Sequence, residues 1–314
     1  MRLHGYLTWL SEDYSRMPEI HRCILHDGVT AKPEVPTMSF ESTVMLPSGA
    51  AMPRIGLGTH EISGASGPDA IAAGIAAGYR LLDTAIAYGN HAEVGEGMRR
   101  SGVPRDELFL TTKVRRRTAG AEDARVRIQE SFQELGLERL DLLLIHGPNA
   151  SREVAIDTWR GLISARAAGL VTDIGVSNFS PAQILQLEDA TGVLPAVSQV
   201  QLSPALQRRE DVSFYLERGI VPMAWSPLGV AHGVLEDAVV LRLAATHGVS
   251  PAAIAIRWGM QRGHVVIPKS GSAERQRGNL RALEIELSDA EMASLEALDV
   301  AVESEWEAQN RAAW

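Results

Sequence analysis

Short apolar runs alternate with helical patterns along most of the chain. The runs have five to seven residues each and are IGLGT (55–59), RLLDTA (80–85), LFLTTKV (108–114), DLLLIHG (141–147), TDIGVSN (172–178), VSQVQLS (197–203), IVPMAWS (220–226) and HVVIPKS (264–270). They recur mostly every ~25–35 residues, which is the length of a βα unit. Because they lack the strict alternation of a half-buried strand, they predict strands that are buried on both faces of a parallel sheet.

Eight such strands, with helices between them, are the number that closes a barrel. The helical patterns are clearest in AEDARVRIQESFQELG (121–136) and SREVAIDTWRGLISARAAG (151–169). The competing fold is a doubly wound open sheet, which normally carries a glycine-rich turn after its first strand. Here that turn reads GLGTHE at 56–61 and lacks the third glycine. We therefore expect an α/β fold of the (β/α)8 TIM barrel type.

Two further elements lie outside the eightfold pattern. STVMLPSGAAMP at 42–53 is typical of a small N-terminal β-hairpin that turns around proline, serine and glycine. LSDAEMASLEALD at 287–299 predicts an extra C-terminal helix, because Ser288 can cap it and Glu291 follows three residues later.

Residues 1–37 differ from the rest, since they show no clear period and end in AKPEVP, which is typical of an extended linker. We interpret 1–37 as an N-terminal extension, disordered or not native, and 38–314 as the barrel domain. Met38 follows the linker directly, so one hypothesis takes it as the native start. The alternative is an extension that packs on the barrel or on a partner, and N-terminal sequencing of the native protein distinguishes the two.

Composition narrows the functional classes. A chain of 314 residues can bury a large core without disulfides. The formal net charge of −9 argues against general nucleic-acid binding, and we interpret the basic run Arg115–Arg117 as a solvated face. The single cysteine, Cys23, excludes an intramolecular disulfide and fits a reducing compartment.

Hydropathy indicates the cellular location of the protein. No apolar run reaches the ~18 residues of a membrane span, and MRLHGYLTWL at the start lacks the apolar core of a signal peptide. We expect a cytoplasmic monomer that acts on a small molecule and binds neither nucleic acid, membrane nor metal.

Polar residues stand at the carboxyl ends of the predicted strands. In a barrel these ends meet at one rim, and barrel enzymes have their active sites at that rim. Each residue alone has an ordinary structural interpretation, such as an aspartate that caps a loop. Polar residues at the ends of strand after strand, however, indicate a functional site. The residues are Asp83, Lys113, His146, Ser177, Asn178, Gln199, Trp225, Ser226, Lys269 and Ser270.

At these positions the sequence resembles the aldo-keto reductase family, in particular its bacterial 2,5-diketo-gluconate reductase-like members. The resemblance extends over about residues 42–299 and rests on five segments in order and spacing. They are MPRIGLGT (52–59), GYRLLDTAIAYGN (78–90), GVSNFS (175–180), WSPLG (225–229) and IPKSGSAERQRGN (267–279).

The resemblance implies a catalytic tetrad of Asp83, Tyr88, Lys113 and His146, and NADPH bound without a Rossmann fold. It implies that residues 177, 178 and 199 hold the nicotinamide carboxamide, that Trp225 stacks on the ring, and that Lys269, Ser270 and Arg275 contact the 2′-phosphate. The full set of expected cofactor residues is Thr59, Ser177, Asn178, Gln199, Trp225, Ser226, Leu228, Lys269, Ser270, Arg275 and Asn279. His60 and Ile86 are the expected substrate contacts.

The sequence departs from the family pattern at four places. Trp225 stands where Tyr is common, Gly278 and His91 stand where Glu is common, and Gly147 stands where Trp often follows the tetrad histidine. The last change removes a bulky wall from the usual substrate pocket.

These residue types suit carbonyl reduction. Hydride arriving at the carbonyl carbon leaves negative charge on oxygen, which an acid must neutralise. A free tyrosine titrates near pH ~10, and an ammonium group within about 4–6 Å can lower that pKa by roughly 1–3 units. We therefore expect Tyr88 to act as the acid, Lys113 to lower its pKa, Asp83 to hold Lys113, and His146 to polarise the carbonyl.

The predicted function is NADPH-dependent reduction of an aldehyde or ketone, such as a keto-sugar or similar small carbonyl compound. Two cations, Lys269 and Arg275, favour NADPH over NADH, because only NADPH carries the additional phosphate. One alternative is a lyase or aldolase that uses Lys113 as a Schiff base. The other is a non-catalytic, cofactor-sensing subunit. The aromatic residues Trp306 and Trp314 could line the substrate pocket or lie on the surface.

Overall fold

A β-hairpin precedes the barrel, as predicted. The computed structural model describes residues 42–149 and 151–301. The predicted extension at 1–37 and the tail residues Trp306 and Trp314 lie outside this part. Strands β1 (Thr43–Met45) and β2 (Ala51–Pro53) pair antiparallel. At the hairpin turn, the Ser48 hydroxyl donates to the buried carboxylate of Asp173.

Eight parallel strands follow in the order in which they occur along the chain. They are β3 (Gly56–Gly58), β4 (Leu81–Asp83), β5 (Phe109–Val114), β6 (Leu140–Ile145), β7 (Val171–Ser177), β8 (Val197–Gln201), β9 (Val221–Trp225) and β10 (Val265–Val266). Parallel bridges from Ile55 to Val266 and from Gly58 to Lys269 join the first strand to the last. The sheet is therefore a nearly closed barrel, which confirms the predicted fold class.

Helices connect the strands and cover the barrel. The described residues contain α1 (Gly67–Ala77), α2 (His91–Ser101), α3 (Ala121–Leu135), α4 (Arg152–Ala167), α5 (Pro181–Thr191), α6 (Arg209–Glu217), α7 (Ala238–His247), α8 (Pro251–Gln261), α9 (Ala273–Leu280) and α10 (Asp289–Glu296). The predicted C-terminal helix is α10, and Ser288 and Glu291 form its capping box. Two helices, α7 and α8, separate β9 from β10, whereas the sequence pattern predicted a regular alternation.

Alternation along each strand decides which side chains face the barrel axis. Leu81 packs in an inner cluster with Met52 of the hairpin, while its neighbour Leu82 packs in the outer cluster between strands and helices. Because side chains point to opposite faces with a period of two, Asp83 shares the inward face of Leu81. Similarly, Leu142 and Leu144 belong to the inner cluster, and His146 follows two residues after Leu144 with the same inward parity. The apolar residues thus fill the barrel, and polar ones of the same parity stand at its carboxyl end.

In the described part of the chain no single helix is long and apolar enough to cross a membrane. The pair α7 and α8, bent by 93° at their junction, reaches the length and composition of a span when taken together.

Candidate active site

A buried ion pair lies at the carboxyl end of the barrel. The Nζ atom of Lys113 on β5 donates to Oδ1 of Asp83 on β4 at 2.6 Å and to the carbonyl of Thr84 at 2.8 Å. Both charged side chains are almost completely inaccessible, at 0% and 3% exposure. The Tyr88 hydroxyl lies 3.4 Å from the same Nζ atom. The neighbouring strands thus bring Asp83 and Lys113 together, and the loop after β4 adds Tyr88.

Two histidine rings flank Tyr88. The ring centroids of Tyr88 and His146 are 5.6 Å apart, and the planes meet at 78°. The His60 ring lies on another side of the phenol at 4.9 Å, also edge-on. The four residues predicted as a tetrad therefore form one cluster, with His60 as its neighbour.

The electrostatics of the pair keep Lys113 protonated. Burial alone would lower the pKa of Lys113, but the charge of Asp83 and the hydroxyl of Tyr88 outweigh burial and raise this pKa above its ordinary value. A second donor stabilises the carboxylate, because Nε2 of Gln199 donates to Oδ2 of Asp83 at 2.8 Å. Asp83 therefore uses both oxygens inside the protein.

The expected pKa of Tyr88 needs correction. Burial raises the pKa of Tyr88 above its ordinary value, and Lys113 lowers it by less than burial raises it. The distance to Lys113 agrees with the expectation, but the sequence does not reveal how completely the phenol is desolvated. The structure therefore presents Tyr88 as a protonated donor rather than as a phenol close to ionisation.

His146 is neutral in this environment. Burial lowers its pKa to about 3, with further lowering by the positive charges of Lys113, His60 and Arg116. A neutral imidazole can still donate one hydrogen bond to a carbonyl oxygen, and its protonation does not change near pH 7.

A hydrogen-bonded chain connects the tetrad to the predicted nicotinamide residues. The Nδ2 atom of Asn178 donates to the carbonyl of His146 at 3.0 Å and to the Ser177 hydroxyl at 3.0 Å. The indole of Trp225 donates to Oδ1 of Asn178 at 2.9 Å. Asn178 and Ser226 have φ angles of 62° and 49°, in the left-handed region that non-glycine residues seldom occupy. Such strained positions at strand ends are common where a site orients its side chains.

One cavity of about 1030 Å³ contains most of the predicted site. Its walls include every expected cofactor residue together with His60, Asp83, Tyr88 and His146. Lys113 lies buried beneath them. Ile86 is not brought to this cavity: it is 8% exposed and packs in the outer hydrophobic cluster. The expected substrate contact through Ile86 is therefore not supported by its position.

Charged groups also line the cavity. Lys269 and Arg275 both line it, and Nζ of Lys269 pairs with Oε2 of Glu61 at 2.7 Å. Because both partners are exposed, this ion pair contributes little to stability. Lys269 can therefore exchange Glu61 for another anion. Gly278 also lines the cavity, and a Cβ atom built there would meet nothing within 4 Å, so a larger side chain at this position would enter open space.

Asn90 is a positioning residue that sequence reasoning missed. Its side chain accepts from the Thr84 hydroxyl at 2.9 Å and donates to the carbonyls of Thr59 and Ile62 at 2.8 and 2.9 Å. It thereby connects the loops after β3 and β4, and it fixes the segment that carries Tyr88. Its place in the segment GYRLLDTAIAYGN was visible, but its partners are distant in sequence.

Known proteins share sequence with most of this chain. The model of the Aldo/keto reductase family matches residues 54–300. A 2,5-diketo-D-gluconic acid reductase B from Corynebacterium sp. is 44% identical over 247 residues, covering 79% of this chain and 87% of that protein. A morphine 6-dehydrogenase from Pseudomonas putida is 40% identical over 271 residues, covering 82% and 92% of the two chains.

Solved structures give the same result. The crystal structure of an aldo/keto reductase from Brucella melitensis has a TM-score of 0.79 and 36% identity, covering 82% of this chain and 99% of that one. An aldo-keto reductase from a Medee basin deep-sea metagenome library has a TM-score of 0.81 and 32% identity, covering 83% and 96%.

Proposed function

This chain belongs to the aldo/keto reductase family, and we propose that it reduces an aldehyde or ketone to the alcohol with NADPH as hydride donor. The observation that carries the proposal is the position of Tyr88, whose hydroxyl lies 3.4 Å from Lys113 and whose ring adjoins His146 in the wall of one large cavity. We further propose a cytoplasmic monomer, with a small carbonyl compound such as a keto-sugar as substrate.

The residues of the cavity fit the chemistry of NADPH. Amide and hydroxyl groups of Ser177, Asn178 and Gln199 lie at the end next to the tetrad, where they suit a carboxamide. Trp225 adds a planar face in the same region, which suits a stacked ring. Lys269 and Arg275 line the same cavity and suit a phosphate dianion. A cavity with both kinds of lining matches a ligand with a neutral amide and an anionic group.

The chain's own residues account for the proton transfer. NADPH, when bound, supplies the hydride that adds to the carbonyl carbon. The Tyr88 hydroxyl donates its proton to the carbonyl oxygen as negative charge develops there, and a well-placed acid contributes about 10²–10⁴ in rate. Lys113, held charged by Asp83, stabilises the phenolate that remains. Neutral His146 donates a hydrogen bond to the same oxygen. The hydride on carbon and the proton on oxygen together convert C=O to CH–OH.

The Schiff-base alternative is less consistent with the site. A lysine nucleophile must lose its proton, whereas the pKa of Lys113 is raised by Asp83 and Tyr88 against the effect of burial. Its Nζ atom is also fully buried and already donates to Asp83 and Thr84.

The test is oxidation of NADPH at 340 nm with a panel of aldehydes, ketones and keto-sugars. We expect turnover that Tyr88→Phe lowers by about 10²–10⁴, and no trapping of substrate on Lys113 by borohydride. Binding of NADPH without turnover on any carbonyl compound would instead favour the cofactor-sensing subunit, and borohydride trapping would favour the aldolase.

A further inference from the structure

His91 forms a buried hydrogen bond behind the tetrad. Its Nε2 atom lies 2.9 Å from the hydroxyl oxygen of Thr112, and the two residues are 1% and 0% exposed. The other ring nitrogen, Nδ1, lies 3.3 Å from a carboxylate oxygen of Glu134 but makes no hydrogen bond within the described residues. Because a buried polar group without a partner is costly, the bond to Thr112 holds the imidazole in one orientation.

The two bonded residues lie beside the two residues of the proposed proton transfer. Thr112 directly precedes Lys113 on β5, and His91 follows Tyr88 by three residues. Side chains alternate along a strand, so Thr112 shares the helix-facing parity of Leu110 in the outer cluster, whereas Lys113 faces the barrel axis. The bond from His91 to Thr112 therefore joins the segment of Tyr88 to the strand of Lys113, from the outer side of that strand.

Two neighbouring side chains fix the segment that carries Tyr88. The turn Ile86–Tyr88 is followed by Gly89, with a φ angle of 63°, and α2 begins two residues later. Asn90 holds this segment to the loops after β3 and β4, and His91 holds it to β5. With adjacent side chains bonded to different strands and loops, the barrel framework determines where the Tyr88 hydroxyl lies.

The histidine makes this bond without adding charge. Burial and, to a smaller extent, the positive charge of Lys113 lower the pKa of His91 to about 4. The ring is therefore neutral near pH 7. A carboxylate, which the family often has at this position, would be a second negative charge near Lys113. The neutral imidazole leaves the ion pair of Lys113 and Asp83 undisturbed.

We propose that His91 is a positioning residue, which through its bond to Thr112 holds the Tyr88 hydroxyl at the distance from Lys113 that proton transfer requires. This inference rests on the proposed carbonyl reduction and deepens it. The hydroxyl lies 3.4 Å from Nζ of Lys113, and catalytic groups must be held within about 0.5 Å of their productive positions. Neither His91 nor Thr112 lines the cavity, so the effect of their bond on rate passes through the tetrad.

Isosteric replacement of Thr112 removes the bond and keeps the shape of the side chain. For Thr112→Val we expect kcat for an aldehyde that the wild-type protein reduces to fall by about tenfold. KM for that aldehyde and Kd for NADPH should stay within about twofold, since the change affects only the transition state. Thr112→Ser keeps the hydroxyl and should retain the wild-type kcat.

Thr111→Val is the matched control in the same strand. The Thr111 hydroxyl is buried like that of Thr112, but it makes no hydrogen bond within the part of the chain that the structure describes. Its removal should leave kcat within about twofold.

Coupling to Tyr88 separates positioning from a merely structural role. In Tyr88→Phe, which lacks the hydroxyl to be positioned, Thr112→Val should leave the residual kcat within about twofold. His91→Leu combined with Thr112→Val replaces both polar partners by apolar groups, so it should recover the stability lost in the single variants but not kcat. An unchanged kcat in Thr112→Val, the same fractional loss with and without the Tyr88 hydroxyl, or a kcat that recovers with stability would each overturn the proposal.

Crystal structures of the wild-type protein and of Thr112→Val test the geometry without turnover. If the wild-type protein reduces no carbonyl compound, the proposed function fails, and these structures then decide the positioning role alone. We expect the distance from the Tyr88 hydroxyl to Nζ of Lys113 to increase by about 0.5 Å or more in the variant. An unchanged distance would overturn the role of His91.

Discussion

Lys113 Nζ lies 2.6 Å from Asp83 Oδ1 in an ion pair that solvent does not reach. Removing one partner of a buried pair leaves an uncompensated charge and costs about 3–5 kcal/mol of unfolding free energy, whereas replacing both is much less costly. We expect Lys113→Met and Asp83→Asn each to destabilise the protein by that amount in urea unfolding. The double variant should be far more stable than the sum of the two losses predicts.

The exposed pair of Glu96 and Arg99 provides the control for this cycle. Arg99→Met removes one partner of an ion pair of 2.9 Å at the surface and should change the unfolding free energy by less than about 1 kcal/mol. Additive losses at Asp83 and Lys113 would contradict a tightly coupled pair.

Tyr88→Phe removes the proposed acid and keeps the ring. We expect kcat to fall by about 10²–10⁴ with Kd for NADPH within twofold, because the hydroxyl acts on the carbonyl oxygen and not on the cofactor. Tyr215→Phe removes the hydroxyl of a buried tyrosine outside the cavity and should leave kcat unchanged. A near-normal kcat in Tyr88→Phe would assign the acid to another group.

The pH profile of reduction reports on His146 and Tyr88 together. Burial lowers the pKa of His146 to about 3, so the ring stays neutral above about pH 4. Burial raises the pKa of Tyr88, so the phenol keeps its proton until strongly alkaline pH. We therefore expect kcat at saturating cofactor to be flat from pH 5 to 8 and to decline only at alkaline pH. An inflection near pH 6.5 would show that a histidine of ordinary pKa controls the step.

Arg275→Ala tests the proposed phosphate contact. It should raise Kd for NADPH by about tenfold or more and leave Kd for NADH nearly unchanged, because only NADPH carries the additional dianion. Arg277→Ala is the control, since Arg277 lies on the same helix, α9, but does not line the cavity. Fluorescence titration measures both constants, and an equal loss for the two cofactors would remove this role from Arg275.

The buried side chain of His264 makes the free energy of unfolding depend on pH. Both ring nitrogens are buried without a hydrogen-bond partner, and burial lowers the pKa to about 3. Since the unfolded chain takes up a proton near pH 6.5 and the folded protein does not, stability is lost as pH falls below that value. The loss is about 1.4 kcal/mol per pH unit for this one group.

His264→Leu removes that proton uptake. The variant should gain stability relative to the wild-type protein by about 1.4 kcal/mol more at pH 5.5 than at pH 7.5, measured by urea unfolding at both values. A difference between the two proteins that does not vary with pH would mean that His264 takes up its proton equally in the folded and the unfolded states.

Local patterns were sufficient to predict much of the rim. Asp83 and Lys113 stand at or next to the carboxyl ends of their strands, and Gln199 lies within β8, and these polar residues in apolar runs are visible without coordinates. That they share the inward face of the barrel became clear only from the inner cluster in the structure. The lengths of the strands were not predictable. The run 264–270 forms only Val265–Val266 as regular strand, because Pro268 has no N–H to continue the ladder and Lys269 meets Gly58 only in an isolated bridge.

The sequence by itself determined the barrel and the residue types that meet at its carboxyl end, because the recurrence of apolar runs and helical patterns, and the polar residues at the ends of those runs, can be read locally along the chain. Tertiary structure alone decided how strongly Tyr88 is desolvated, that Ile86 packs in the core, and that His91 bonds to Thr112. Burial and contact between distant segments depend on how the whole barrel closes, and no local pattern carries that information.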